Sequence, residues 1–224
     1  MAFKSLSQPR AHLADQVYDQ IIQAIRDGTI STDDRIVQEK LAEEFEISRT
    51  PVREALFRME QEGILVVSRR GGFVIRRLDR DEIAELYATR AAIEGFAARL
   101  LAEANNKKTC DRLRKTIIRA ENLKEKTVQA YFEANKAIHR AFVEAAGNRF
   151  LLEFFDNIWS RGSSFTLFAS LADEDLSKSL GDHLVLVDAI ETGDKSVAVE
   201  KMIAHICDGK EMQIKARTKT GANV

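Results

Sequence analysis

Hydrophobic and polar positions follow two different patterns along the chain. From Asp79 onward apolar residues recur every three or four positions without strand-like alternation, which predicts helices at about 79–104, 107–126, 127–146, 149–170, 173–191 and 195–217. Before that point, helical spacing predicts helices at about 12–27, 38–45 and 49–62, and short apolar runs at 64–68 and 73–77 predict a hairpin. The chain is therefore predicted to be mainly α, with a small helix-and-hairpin domain over 1–77 and an all-α bundle of six or seven helices over 78–224.

The third predicted helix carries clear boundary signals and a clear apolar face. Ser48 is a natural N-cap, Pro51 lies in the first turn where a missing N–H costs nothing, and Gly63 follows the last helical residue. The apolar stripe of this helix consists of Val52, Ala55, Leu56 and Met59. A buried stripe in this position leaves Arg49, Thr50 and Arg53 exposed near the N-terminal end.

The charge of the chain is unevenly distributed, and this suggests a partner for that exposed end. The net charge is only −1, but residues 47–77 hold seven arginines and three glutamates, a local balance of +4. Arginine can bind guanine with two hydrogen bonds or clamp a phosphate, and threonine can reach either group. The predicted hairpin tip, Arg69-Arg70-Gly71-Gly72, is also basic, and its glycines permit close approach to a backbone. This layout predicts a winged helix-turn-helix that binds double-stranded DNA; the alternative is a small helical domain with no ligand.

In the predicted bundle, polar side chains fall on the apolar stripes of four different helices. Helical spacing directs five of them toward the interior, namely Arg90, Asn135, His139, His183 and His205. Three buried imidazoles need partners, and a shared Zn²⁺, Ni²⁺ or Mn²⁺ would supply one; the alternative is that each is a satisfied core histidine. Arg90 could clamp a carboxylate or pair with Glu94 one turn on. Trp159 and Arg161 are expected to flank the same pocket.

Residues 38–63 resemble the GntR family of bacterial transcription regulators. The resemblance rests on Leu41-Ala42, on the stretch Ser48-Arg49-Thr50-Pro51-Val52-Arg53-Glu54-Ala55-Leu56, and on Glu62-Gly63-Ile64. It implies a homodimer on a palindromic operator, with DNA contacts from Arg49, Thr50, Arg53 and a wing glycine, Gly71 or Gly72.

Residues 80–217 resemble the ligand-binding FCD domain of the FadR subgroup of that family. The matching pieces are Leu86-Tyr87 with Arg90, Ala92-Ile93-Glu94-Gly95, His139 with Ala146-Gly147-Asn148, and His183 with Asp188-Ala189-Ile190 and Gly193-Asp194. The resemblance implies a divalent metal held by three histidines and an aspartate. That aspartate corresponds to Asn135, which carries no charge, so weaker metal binding is expected. A metal with three neutral ligands beside Arg90 would make the pocket net positive and suited to a small organic acid.

These features predict a cytoplasmic transcription regulator, most simply a repressor, whose operator affinity is controlled by a small carboxylate effector. No apolar run is long enough for a membrane span, and the two cysteines form no disulfide framework. A metal-responsive regulator and a DNA-binding protein with a purely structural bundle are the alternatives. A metal-dependent hydrolase would need a general base beside the histidines, and no carboxylate lies in an obvious position on their stripes, so no catalytic residue is expected.

Overall fold

The computed structural model describes residues 10–27, 29–32, 34–160, 164 and 180–219, and these form two units. The first unit follows the predicted order of three helices and a hairpin. Its elements are α1 (Arg10–Arg26), α2 (Gln38–Glu44), α3 (Arg49–Gln61), β1 (Leu65–Val67) and β2 (Phe73–Ile75). The predicted helix-and-hairpin fold is confirmed, and each boundary lies within about two residues of the prediction.

The core of the first unit is the contact between α1 and α3. The predicted stripe of α3 is fully buried, Val17, Ile21 and Ile25 of α1 are buried as well, and the two helices pack against each other. The predicted N-cap Ser48 has the extended backbone of a capping residue, but its side chain makes no capping hydrogen bond. Tertiary packing of the apolar stripe therefore stabilises the start of α3 more than the cap does.

The hairpin is a two-stranded antiparallel sheet in which Leu65 pairs with Ile75 and Val67 with Phe73. Phe73 also exchanges two backbone hydrogen bonds of 2.8 Å with Ile36, in the loop before α2. This extra pairing, which the hydrophobic pattern did not predict, ties the tip end of the hairpin to the loop that precedes α2.

The second unit is helical throughout its described part, as predicted. Its helices are α4 (Arg80–Ala104), α5 (Lys107–Glu121), α6 (Val128–Ala145), α7 (Arg149–Ser160), α8 (His183–Glu191) and α9 (Lys195–Lys219). Asp79 and Glu82 form a reciprocal capping box at the start of α4, and the two long helices α4 and α9 pack along each other. Among the described residues, no helix combines the length and apolar composition needed to cross a bilayer.

Two helix predictions in this unit were wrong at their ends. The helix predicted over 107–126 ends at Glu121, because Asn122 leaves the helical conformation. The helix predicted over 173–191 begins only at His183, preceded by Asp182 in the left-handed conformation with φ 67°. The rest of that segment, and most of the predicted extension of α7 to residue 170, lies outside the described residues.

Candidate functional site

The exposed face of α3 presents the three side chains that the hydrophobic pattern placed there. Arg49, Thr50 and Arg53 are all exposed. Among the described residues, the guanidinium of Arg49 has one acidic partner, Glu39, at a long distance of 3.5 Å, and Glu39 is itself exposed. Such an exposed ion pair is weak, so Arg49 remains available to a ligand.

Arg58, also on α3, is committed to the protein itself. Its guanidinium lies over the ring of Tyr18 and pairs with Asp15 at 3.0 Å and Glu62 at 2.9 Å. Part of the local positive charge that the sequence shows is therefore neutralised within the unit, and the surface available to an anion is narrower than the residue count suggests.

The hairpin tip is exposed and its two glycines have different reasons to be glycine. Arg69 and Arg70 are both exposed. At Gly72, φ is +72° and an added Cβ would lie 2.6 Å from the carbonyl oxygen of Ile36, so the fold itself requires glycine. At Gly71, φ is +79° but nothing lies within 4 Å of an added Cβ, so this glycine leaves open space beside the tip.

The second unit brings together the five polar side chains that helical spacing directed inward. Arg90, Asn135, His139 and His205 line a cavity of about 100 Å³. Trp159, the two residues before α8 and further residues of α4 and α9 complete the lining. His183 lies against the same site, with its ring 5.3 Å from that of His139 and 4.6 Å from that of His205. Trp159 was expected beside this pocket and lines it; Arg161 lies outside the described residues.

The three histidines point one ligand nitrogen each at a common centre. These nitrogen atoms all lie within 4.8 Å of one another, and the Nε2 atoms of His139 and His205 are 3.4 Å apart. Two nitrogens bound at roughly 2.0–2.1 Å to one tetrahedral Zn²⁺ lie roughly 3.3 Å apart, so the observed spacing fits a shared ion.

The side chain of His183 gives the clearest indication that the histidine cluster fits a metal ion. The residue is completely buried, and its Nδ1 lies 3.2 Å from the carbonyl oxygen of Leu180 and 3.3 Å from Glu121. A carbonyl only accepts, so Nδ1 carries the proton and Nε2 keeps its lone pair. That Nε2 has no hydrogen-bond partner among the described residues. A buried lone pair without a partner costs free energy, and a metal ion would satisfy it.

Glu94 is a site residue for which the sequence analysis suggested only an ion pair with Arg90. It is completely buried, its Oε1 accepts from Arg90 Nε at 2.9 Å, and its Oε2 lies 2.5 Å from Nδ1 of His139. It does not line the cavity, because it approaches His139 from the side away from the cluster centre. The spacing of Arg90 and Glu94 indicated their pairing, but no sequence signal indicated the contact with His139.

Glu94 adds a buried negative charge that the sequence analysis did not include in the pocket. Burial alone would raise the pKa of its carboxyl, but the charge of Arg90 and the contact with His139 outweigh burial and lower that pKa. The ionised carboxylate offsets the charge of Arg90. The charges of Arg90 and Glu94 cancel, so the excess positive charge expected in this pocket would come from a bound metal ion.

Burial sets the protonation of the other two histidines. It lowers the pKa of His183 to about 2, with the neighbouring His139 and His205 acting in the same direction. Burial and His139 lower the pKa of His205 to about 3. Both rings are therefore neutral at physiological pH, which is the state that binds a metal.

Arg90 and Asn135 complete the cavity wall. The Arg90 guanidinium lies 4.6 Å from the ring centre of Trp159 and 5.0 Å from that of Tyr87, so it is held between aromatic faces as well as by Glu94. Asn135 is buried, and its Nδ2 donates to the backbone carbonyl of Tyr131 at 3.2 Å. The amide oxygen is the atom of Asn135 with ligand chemistry, and it lacks the charge of a carboxylate.

Comparison with known proteins connects the two units to known domains. Residues 13–75 match the family model of bacterial regulatory proteins of the gntR family, and residues 85–208 match that of the FCD domain. The chain is 28% identical over 199 residues to the gluconate operon transcriptional repressor of Bacillus licheniformis, covering 86% of this chain and 82% of that protein. It is 28% identical over 173 residues to the Nta operon transcriptional regulator of Aminobacter aminovorans, covering 77% and 81%. A solved GntR regulator from Rhodococcus sp. RHA1 has the same fold, with a TM-score of 0.69 at 18% identity over 94% of this chain and 99% of that one.

Proposed function

The chain belongs to the GntR family of bacterial transcription regulators that carry an FCD domain, and we propose that it is a FadR-subgroup repressor controlled by a small carboxylate effector. In this proposal residues 1–77 bind operator DNA, and residues 78–224 bind the effector and form a homodimer. The observation that carries the effector site is the cavity where three histidine nitrogens converge beside Arg90.

DNA binding is assigned to α3 and the hairpin tip. Arg49, Thr50 and Arg53 are exposed at the start of α3, the part of a recognition helix that reaches base edges in the major groove. Arg69 and Arg70 are exposed at the tip, beside the open space at Gly71, and would contact phosphate or the minor groove. Two copies of α3 related by a two-fold axis would reach successive major grooves, roughly 34 Å apart on a palindromic operator.

Effector binding is assigned to Arg90, Asn135, His139, His183 and His205. A divalent metal, Zn²⁺, Ni²⁺ or Mn²⁺, held by the three histidines would supply positive charge and open coordination positions for a carboxylate oxygen. In this proposal Asn135, which lines the cavity, would orient an effector oxygen or add a weak neutral ligand. The guanidinium of Arg90, which contacts the rings of Tyr87 and Trp159, would bind the effector carboxylate through donors that Glu94 and Tyr87 do not occupy.

Control of DNA binding requires that the effector favours one arrangement of the two DNA-binding units. Coupling between sites is typically about 1–3 kcal/mol, which would change operator affinity about 5–150-fold. Because the effector bridges α4, α6 and α9, its binding would alter how these helices pack. The site of action is the cytoplasm, where the operator DNA lies.

The test begins by selecting duplexes from a random library with the full-length chain. Affinity for the selected duplex is then measured with and without a chelator, and with a panel of acids starting with gluconate, since one relative is named for a gluconate operon. We expect one acid to change affinity at least fivefold, and the chelator or Arg90→Gln to reduce that change.

Each alternative gives a different result in this experiment. A change with metal ions alone, and with no acid, would identify a metal-responsive regulator. Selective DNA binding that neither acid nor metal changes would indicate a structural bundle. Failure to select any sequence would refute the proposed recognition surface.

A further inference from the structure

The exposed face of α3 carries one phenylalanine among polar and charged side chains. Phe57 is 46% exposed, and it lies on the side of the helix opposite the buried stripe of Val52, Ala55, Leu56 and Met59. It is one turn beyond Arg53 and two turns beyond Thr50, on the same face. Single exposed apolar side chains are common, so the role of Phe57 depends on what its ring contacts.

The ring of Phe57 supports the guanidinium of Arg53. The Arg53 Cζ atom lies 5.4 Å from the ring centre, within the range of a cation–π contact. Among the described residues Arg53 has no acidic partner, whereas Arg49 contacts Glu39 and Arg58 is paired with two carboxylates. Phe57 is therefore the side chain that orients Arg53 without neutralising its charge.

The same ring also contacts the hairpin. The Phe57 and Phe73 rings are 6.3 Å apart and nearly perpendicular, at 82°, which is the edge-to-face geometry that aromatic pairs prefer. Phe73 is held in place through its paired backbone hydrogen bonds with Ile36. The ring of Phe57 thus contacts both Phe73 of the hairpin and the guanidinium of Arg53.

We propose that Phe57 is a positioning residue for DNA reading: it holds Arg53 ready for its contact and links α3 to the hairpin. This inference rests on the proposed DNA-binding function. A free arginine side chain loses rotamer freedom when it is fixed, and a side chain that is already supported loses less on binding. Phe57 reads no base itself in this role; it makes binding by Arg53 less costly.

The magnitude follows from the strength of an exposed cation–π contact. Such a contact corresponds to roughly a 2.3–5.4-fold change in affinity for one recognition helix. Two recognition helices on a palindromic operator would give roughly 5–30-fold, because the two contributions multiply.

The experiment compares Phe57→Leu with Phe57→Tyr in the full-length chain, using the duplex selected as described above. Leucine keeps an apolar contact with Phe73 but has no aromatic face; tyrosine keeps the face. We expect Phe57→Leu to weaken operator binding by roughly 5–30-fold. Phe57→Tyr should leave operator affinity within about twofold of that of the original chain. Thermal unfolding of both variants checks that the fold is unchanged.

A double-mutant cycle separates positioning from mere structural support. In the Arg53→Ala background, Phe57→Leu should change operator affinity less than twofold, because no guanidinium remains to position. Equal effects of Phe57→Leu in both backgrounds would overturn the inference while leaving α3 as the recognition helix. If Arg49→Ala and Arg53→Ala both leave affinity intact, or no duplex is selected, the proposed DNA-binding surface fails and the inference fails with it.

Discussion

Glu94 Oε2 lies 2.5 Å from Nδ1 of His139, although the two residues are 45 positions apart and on different helices. The carboxylate accepts the Nδ1 proton, so the Nε2 lone pair of His139 faces the other two histidines. The same carboxylate accepts from Arg90 at 2.9 Å. The buried carboxylate of Glu94 therefore contacts both His139, a proposed metal ligand, and Arg90, which is proposed to bind the effector. Glu94 is the first target for substitution.

Replacing Glu94 with glutamine should weaken metal binding without removing any metal ligand. Outer-shell partners of metal-bound histidines typically contribute 10–100-fold to affinity, and we expect a loss of that order. Titration of chelator-treated protein with Zn²⁺ in a calorimeter measures it. Glu85→Gln, at an exposed position of the same helix, is the matched control. Unchanged affinity in Glu94→Gln would show that the contact with His139 has no outer-shell role.

Asn135→Asp should strengthen metal binding, because it adds an anionic oxygen of nearly the same size to the wall of the histidine cluster. We expect at least tenfold tighter binding of Zn²⁺ or Mn²⁺ in the same titration. Asn122→Asp, which adds the same charge at an exposed position, should have no effect. Equal affinities in the original chain and Asn135→Asp would place residue 135 outside the coordination sphere.

His183→Ala should abolish tight metal binding, because it removes the buried nitrogen that has no other partner among the described residues. The chain has a single tryptophan, and the Trp159 ring stacks at 6.0 Å on His139, so its fluorescence reports on the site. Titration with Ni²⁺ should quench this fluorescence in the original chain and in His12→Ala, whose histidine is exposed. Identical quenching curves for His183→Ala and the original chain would contradict the site.

The metal-free protein should lose stability as pH falls below about 6.5. The folded chain keeps His183 and His205 neutral to about pH 2 and 3, whereas the unfolded chain protonates them near their ordinary pKa of 6.5. Between these values the unfolded state binds more protons, so acid favours unfolding, by at most about 1.4 kcal/mol per pH unit for each histidine. Urea unfolding with a chelator between pH 7.5 and 5 measures the slope.

Two histidine variants test whether buried histidines cause this dependence of stability on pH. His205→Asn should make stability less dependent on pH, while His12→Asn should leave the dependence unchanged, because His12 is exposed. A slope that none of the histidine substitutions alters would assign the acid sensitivity to other groups.

Arg49→Ala and Arg53→Ala should each weaken operator binding at least tenfold while leaving the melting temperature unchanged, because both side chains are exposed and contribute little to the fold. Arg58→Ala, on the same helix, should lower the melting temperature and leave operator affinity nearly unchanged, since the partners of Arg58 are Tyr18, Asp15 and Glu62. Fluorescence anisotropy with the selected duplex, paired with thermal unfolding, distinguishes the two classes. Loss of stability without loss of affinity at Arg53 would move the recognition surface elsewhere.

Helical periodicity alone was enough to predict which way the bundle side chains point. Arg90, Asn135, His139 and His205 line the cavity as their spacing indicated, and His183 lies beside them. The apolar stripe of α3 likewise decided that Arg49, Thr50 and Arg53 are exposed. These predictions succeeded because the direction of a side chain from its own helix depends only on local geometry.

The tertiary structure alone decided which of these side chains meet. Local spacing says nothing about which helices become neighbours, since that depends on how whole apolar faces pack together. The contact of Glu94 with His139 and the contacts of the Phe57 ring with Arg53 and Phe73 are results of that packing. The sequence thus determined the fold class, the inward histidines and the exposed arginines, while long-range packing determined the partners that give each of them its chemistry.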